Sequence, residues 1–224
     1  MNEKISVVMA TYNASDFLRD SIDSIQNQTF KDFEFVIIDD GSTDDTPDVL
    51  TELARYDSRL KVIQNQTNLG LTIRLNQGIK VAGGEFIARM DADDLATPKR
   101  FEKQIERFLV DPDLVIVGCN VMHTSSNLSP IYQSNFPLSD WDIRCYCLIN
   151  NPFPHSGVMM RAKLFRSDGL SYDEKYFVGQ DYELWTRLLF YGKAANIPDP
   201  LMLSRNHPRS ITAKYQVEQE RAFR

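Results

Sequence analysis

A chain of 224 residues, 42% hydrophobic and 25% charged, can bury one substantial core, which excludes an intrinsically disordered protein. A net charge of −6 and a pI near 5.1 exclude a nucleic-acid-binding role, which calls for a clustered basic face to offset phosphate charge. Cys119, Cys145 and Cys147 cannot all pair, and Cys-Tyr-Cys fits neither a zinc knuckle nor a redox Cys-x-x-Cys, so all three read as buried thiols of a reducing compartment.

In chain order, Ile5 to Met9 is a continuous apolar run, the pattern of a strand covered on both faces. Ser15 is placed to cap a helix whose Leu18, Ile22 and Ile25 form one buried stripe. Phe33 to Ile38 predicts a second strand, ending in Asp39-Asp40-Gly41-Ser42. Thr46 caps the next helix with Pro47 at its first position and Leu50, Leu53 and Ala54 on its apolar face. Leu60 to Ile63 predicts a third strand, and Leu71 to Ala82 a helix stopped by Gly83-Gly84. Glu85 to Arg89 is the next strand. Thr97-Pro98 caps a helix with Phe101, Ile105, Phe108 and Leu109 facing inward, and Leu114 to Val117 is another strand.

Strands alternating with helices imply an α/β fold, a mostly parallel central sheet flanked by helices, with a Rossmann-like nucleotide-binding half over residues 1–118. Beyond Cys119 the periodicity weakens. Ser139 caps a helix through Ile143, Tyr146 and Cys147, and Asn151-Pro152-Phe153-Pro154 forces an extended turn. Val158 to Met160 predicts a strand, and Asp181 to Tyr191 a helix burying Leu184, Trp185, Leu188 and Leu189. Residues 119–213 read as a lid or substrate platform built against the first sheet within the same domain, and 214–224 as a charged helical tail. No apolar run approaches the ~18 residues that cross a bilayer, and the first residues lead into a strand without a signal peptide. The expected location is the cytoplasm or the cytoplasmic face of the inner membrane, with peripheral membrane association.

Three polar clusters directly follow strand runs: Thr11-Tyr12-Asn13, Asp39-Asp40 and Asp91-Ala92-Asp93. Ligands of such sheets sit outside the carboxyl ends of the strands, so all three are expected on one rim. Met90-Asp91-Ala92-Asp93-Asp94 crowds carboxylates at a buried strand end, where like charges repel unless a cation neutralises them, and oxygen ligands suit Mg²⁺ or Mn²⁺. A solvated acidic turn capping the next helix fits the same residues. Asp39-Asp40 stands where a carboxylate meets a ribose or base edge, or where a turn is capped. The first turn, Ala10 to Ala14, lacks the Gly-x-Gly-x-x-Gly of dinucleotide sites.

Together, Ile5 to Asn13, Val36 to Asp44, Asn68-Leu69-Gly70 and Met90 to Asp94 resemble, in order and spacing over roughly the first 120 residues, the inverting family 2 glycosyltransferases. The resemblance implies an A-type glycosyltransferase fold and a hexosyltransferase or N-acetylhexosaminyltransferase of bacterial surface-polysaccharide type. Its donor would be a nucleotide diphosphate sugar, first of all a UDP-sugar, and its acceptor a hydroxyl of a glycan or lipid-linked glycan. By the same resemblance Thr11, Tyr12, Asn13, Asp40, Asn68 and Gly70 would line the donor site, with Asp39 supporting it. Asp91-Ala92-Asp93 would be the D-x-D motif that meets donor ribose and metal, Asp93 and Asp91 ligating Mn²⁺ or Mg²⁺. Arg74 resembles a basic residue aimed at the donor diphosphate, and reads equally as a solvated helix charge.

Within Phe177 to Trp185, Asp181 takes the place of the family's base, with Gln180 where Glu is common. A carboxylate there also suits a helix cap. His155, and His207 in an Arg205-x-His207-x-x-Ser210 element, match family positions near donor or acceptor, while lone histidines are often structural. A Gln-x-x-Arg-Trp motif of processive synthases is missing after Trp185, which points to one sugar per encounter. Two rivals remain: a nucleotidyltransferase, whose Gly-rich loop is absent from the first turn, and a nucleotide-sugar-binding module without catalysis, which Gln180 leaves open.

Overall fold

The computed structural model describes residues 4–210. Strand and helix alternate as the hydrophobic periods dictate: β1 (Ile5–Thr11), α1 (Ser15–Gln26), β2 (Phe33–Asp39), α2 (Thr46–Tyr56), β3 (Leu60–Gln64), α3 (Leu71–Val81) and β4 (Phe86–Arg89). Then come β5 (Leu95–Ala96), α4 (Arg100–Val110), β6 (Leu114–Thr124), β7 (Pro130–Ser134), α5 (Asp140–Tyr146), β8 (Met159–Arg161), the one-turn α6 (Lys163–Arg166), α7 (Gln180–Leu188) and β9 (Lys193–Arg205).

The strands form one sheet in the order β3-β2-β1-β4-β8-β6-β9-β5, with β7 paired to β6. β3, β2, β1 and β4 are parallel, with Thr11 opposite Asp39 and Val8 opposite Arg89, so their carboxyl ends share one rim. β8 runs antiparallel to both β4 and β6, and β9 runs parallel to β6. The residues before β8 and after β9 therefore arrive at that same rim. The α/β class holds, but parallel pairing is confined to the first four-strand block and to β6–β9.

Alternate residues of β1 feed two cores. Ile5, Val7 and Met9 pack with Leu18, Ile22, Leu50 and Phe101 on one face, and Val8 packs with Leu75, Ile79, Leu184 and Trp185 on the other. Each such Leu or Ile contributes roughly 1.5–3 kcal/mol on burial, so the sheet is a stiff platform and variation is left to the rim loops. No helix among the described residues is long and apolar enough to cross a membrane.

Several local expectations are corrected. Ser15 does not cap α1: Ala14 holds that position, its N–H donating to Thr46 Oγ1 while Ser15 N–H donates to Asp44 Oδ2. Thr46 thus serves the neighbouring helix rather than its own, whose cap position is Asp45. Lys99 rather than Thr97 precedes α4, and Leu109 is 67% exposed. Cys119 and Cys147 are buried free thiols, but Cys145 is exposed. β9 was not foreseen because Pro198 and Pro200 break a strand pattern; the ladder shifts register around Asn120, whose Nδ2 donates to the Pro198 carbonyl at 2.8 Å. Ser139 does cap α5, accepting from Asp142 N–H. The tail expected over 214–224 lies outside the described residues.

Candidate active site

The rim opens into a cavity of about 430 Å³, a volume typical of small-molecule sites. Thr11, Tyr12, Asn13, Asp40, Asn68, Gly70, Asp91, Ala92, Asp93 and His207, all expected at the donor, line it.

The turns after β1 and β2 are stapled together. Asn13 holds a left-handed φ of 49°, which Asn tolerates; its N–H donates to Ser42 Oγ at 2.9 Å and its Oδ1 accepts from Thr43 N–H at 2.8 Å. Asp39 lies behind the wall and accepts from Ser42 Oγ; burial pushes its carboxyl up against those hydrogen bonds, with Asp40 and Asp44 adding repulsion. Thr11 Oγ1 is buried in the cavity wall with no hydrogen-bond partner among the described residues, a deficit that a ligand hydroxyl or carbonyl would remove.

Asp40 organises the next turn. Its Oδ1 accepts from Leu69 N–H at 2.8 Å and from Arg74 Nε at 2.5 Å, and its Oδ2 from Gly70 N–H at 2.8 Å. Gly70 sits at φ 96°, the left-handed region that glycine enters without strain. Arg74 is not the solvated charge of one reading: it is buried, bonded also to Gln77 Oε1 and the Thr67 carbonyl, and it does not line the cavity. The 68–70 turn sets the first turn of α3 on the end of β2, so the guanidinium meets Asp40 before any ligand.

The acidic turn rests on two buried arginines, Arg89 and Arg100. Asp91 Oδ1 accepts from Arg89 at 2.5 Å; burial is the largest influence and disfavours its charge, but Arg89, His155 and Arg100 together outweigh it and hold the carboxyl below its ordinary range. Asp93 Oδ2 is 2.8 Å from His207 Nε2, and burial together with Asp91 pushes its carboxyl up to about 6. Asp94, which sequence reasoning did not single out, is buried, accepts from Ser156 Oγ at 2.6 Å and from Arg205 N–H at 3.1 Å, and is pushed up to about 7 by burial and its two neighbours. Ser156 and Arg205 come from just before β8 and the end of β9, the segments the topology delivers here.

No set of three or more His, Cys, Asp or Glu side chains among the described residues forms a metal site by itself. Asp91, Asp93 and His207 nevertheless share the cavity wall, and the repulsion that raises Asp93 is what a dication removes. The Asp91 and Asp93 carboxylates are oxygen donors of the kind a hard divalent ion takes.

Gly179, at φ 72°, turns the chain into α7, placing Asp181 second in the helix without capping it. Asp181 Oδ2 accepts from Asn151 Nδ2 at 2.7 Å. Asp181 is not in the cavity wall, and its charge and that of Asp91 both act on the buried Tyr172 and on His155 paired with it. His155 does not line the cavity: its Nε2 pairs with Tyr172 Oη at 2.9 Å, and burial with Arg89 pushes it down to about 4, leaving it neutral near pH 7. Glu183, two residues on, is held by Arg187 at 2.6 Å.

Sequence reasoning also missed Phe17, Tyr176 and Phe177, which complete the cavity wall. Phe17 had a signal, since it falls off the buried stripe of α1. It packs against His207 at a tilt of 50°, 4.7 Å between centroids, and lies under the Arg205 guanidinium at 4.6 Å.

Comparison with known proteins follows the same lines. Residues 6–167, more than half of the chain, match the family described as Glycosyl transferase family 2. An uncharacterized glycosyltransferase of Haemophilus influenzae is 33% identical over 225 residues, covering 96% of this chain and 69% of that protein. The amylovoran biosynthesis glycosyltransferase AmsE of Erwinia amylovora is 32% identical over 203 residues, covering 89% and 75%. Among solved structures, S. aureus TarS in complex with UDP superposes with a TM-score of 0.73 at 23% identity, covering 96% of this chain and 63% of that one. The mannosyltransferase PcManGT from Pyrobaculum calidifontis, in complex with GDP-Man and Mn²⁺, gives 0.72 at 19%, covering 96% and 60%. The chain thus spans about three-fifths of these solved chains, and the likeness shows a shared A-type glycosyltransferase fold. With a family match over most of its length, relatives above 30% identity and this fold, the chain belongs to glycosyl transferase family 2.

Proposed function

We propose that the cavity holds a nucleotide diphosphate sugar, first of all a UDP-sugar, and that the protein transfers one sugar with inversion to a hydroxyl of a glycan or lipid-linked glycan. The observation that carries this reading is the convergence in one cavity of the Thr11–Asp40 wall and the Asp91–Asp93–His207 wall. The UDP complex of TarS and the GDP-Man and Mn²⁺ complex of PcManGT support it.

Thr11 Oγ1 and the turn built on Asp40 receive the nucleoside, and the exposed Tyr12 ring offers it an apolar face. Asp93, with Asp91 and His207 beside it, would hold Mn²⁺ or Mg²⁺, which when bound neutralises charge on the departing diphosphate. Asp181 takes the proton from the acceptor hydroxyl as its oxygen attacks the anomeric carbon from the face opposite the diphosphate. The bond from that carbon to the diphosphate oxygen breaks, a nucleoside diphosphate leaves, and one displacement inverts the configuration. Exclusion of water by the second-half platform favours transfer over hydrolysis. Residues 119–210 supply the acceptor platform within the same domain, and peripheral contact with a membrane surface suits a lipid-linked acceptor.

The test measures nucleoside diphosphate release from a panel of nucleotide sugars, with and without Mn²⁺ and with and without acceptor glycans. Metal-dependent release stimulated by acceptor is expected. Pyrophosphate release instead indicates a nucleotidyltransferase, and tight donor binding without turnover a binding module; either outcome overturns the proposal.

A further inference from the structure

Asn151 lies outside the cavity, yet its amide has one unambiguous orientation. Its Oδ1 faces the backbone N–H of Phe153 at 3.2 Å, and a backbone N–H can only donate, so the atom 2.7 Å from Asp181 Oδ2 must be Nδ2. The loop that carries it is pinned. Asn196 Nδ2 donates to the carbonyls of Pro137 at 2.7 Å and Pro152 at 3.0 Å, and the Phe153 ring packs edge-on against Trp185 at 6.0 Å, one helical turn beyond Asp181. Asp181 Oδ1 makes no hydrogen bond among the described residues. One oxygen of this carboxylate is anchored and the other is open.

We propose that Asn151 is a positioning residue for Asp181, locking its rotamer so that Oδ1 meets the acceptor hydroxyl; this rests on Asp181 being the base. An amide N–H donated to a carboxylate favours the ionised form, and a base must be both charged and aimed before its proton arrives. The other groups around Asp181 do not supply this. His155 and Tyr172 are paired with each other at 2.9 Å, Arg89 is committed to Asp91 at 2.5 Å, and Asp91 carries like charge. The amino terminus of α7 favours the charge but does not select a rotamer.

The discriminating variant is Asn151→Asp. Asp can still accept from Phe153 N–H and preserves shape, so the loop keeps its turn, but the donor to Asp181 is replaced by a second carboxylate. Asn151→Ala removes both bonds. Nucleoside diphosphate release with UDP-N-acetylglucosamine and GDP-mannose as probes is compared for these variants, Asp181→Asn and wild type. A carboxyl ¹³C titration of aspartate-labelled protein gives a readout that needs no substrate. Asn151→Ala is expected to lower kcat about 10–100-fold with donor KM within about twofold, the range seen when a residue orienting a functional ligand is lost. In Asn151→Asp the Asp181 signal and the acid limb of the pH–rate profile are expected to move to higher pH, because two adjacent carboxylates resist double ionisation. An Asp181 signal that titrates as in wild type in Asn151→Asp overturns the positioning role. Wild-type turnover in Asp181→Asn rejects the base assignment itself, whereas loss there with unmoved Asn151 variants rejects only the role of Asn151.

Discussion

His207 Nε2 stands 2.8 Å from Asp93 Oδ2 although 114 positions separate them in the chain. Topology brings them together: β9 runs parallel to β6 and β6 antiparallel to β8, so the chain leaves β9 at the carboxyl ends of β1 and β4. Phe17 then packs at a tilt against the His207 ring and holds it against the acidic turn.

This pairing sets the first expectation. Asp93→Asn should cut metal-dependent nucleoside diphosphate release by about 10²-fold or more, the loss expected when transition-state charge goes unneutralised. His207→Ala should raise the Mn²⁺ concentration for half-maximal activity about tenfold while keeping much of kcat. Metal titrations of both variants check this; unchanged metal dependence in either contradicts its assignment.

Arg74 and Asp40 form a buried pair, with side chains 6% and 5% exposed. Arg74→Met leaves the Asp40 charge buried beside one lost donor, so it should destabilise folding by about 3–5 kcal/mol. Arg74→Lys should not restore stability, since one ammonium cannot reproduce bonds to Asp40, Gln77 and the Thr67 carbonyl. Urea denaturation measures both. A raised donor KM at unchanged stability would instead place Arg74 at the diphosphate.

The acidic turn also predicts a pH dependence. Unfolded aspartates titrate near 3.8, whereas Asp93 and Asp94 are pushed up to about 6 and about 7 in the fold. Between those values the folded chain binds more protons than the unfolded one, so the stability owed to this cluster is present at low pH and lost as pH climbs from about 4 to about 7. Metal-free wild type should therefore lose stability relative to Asp93→Asn over that window. Added Mn²⁺ should raise the wild-type melting temperature more near pH 7.5 than near pH 5, where protons compete for the carboxylates. Thermal melts with chelator or Mn²⁺ across pH test both statements, and a pH-independent gap contradicts them.

Gly41 lies at φ 73°, and a Cβ there would sit 2.9 Å from the Thr67 carbonyl carbon and 3.1 Å from Asn68 N. These are backbone atoms that cannot swing aside. Gly41→Ala should cost about 1–3 kcal/mol and, by displacing the turn that leads to Gly70, weaken donor binding. Melting temperature and donor KM should change together; a change in neither shows that the turn yields easily.

Much of the fold was legible because its signals are local. The strands through β4 and their helices follow from apolar runs and helical stripes, and the placement of Thr11, Asp40 and Asp93 on one rim follows from parallel pairing. What escaped depends on partners distant in sequence. α1 takes its cap contacts from Asp44 and Thr46, residues of another turn, so Ser15 looked like a cap and is not. β9 is held by its long ladder with β6 despite two prolines. Arg74 has the pattern of a surface charge, and only the fold of the 68–70 turn reveals Asp40 as its partner. Asn151 sits in a stretch whose prolines announce a turn but give no hint that Asp181 lies beside it.

The most direct test of the account is a thermal-shift screen of nucleotide sugars on wild type and Asp93→Asn, each with and without Mn²⁺. The account predicts that a nucleotide sugar raises the wild-type melting temperature strongly only when Mn²⁺ is present, and that Asp93→Asn loses the metal-dependent part. A donor that stabilises both proteins equally without metal would contradict it.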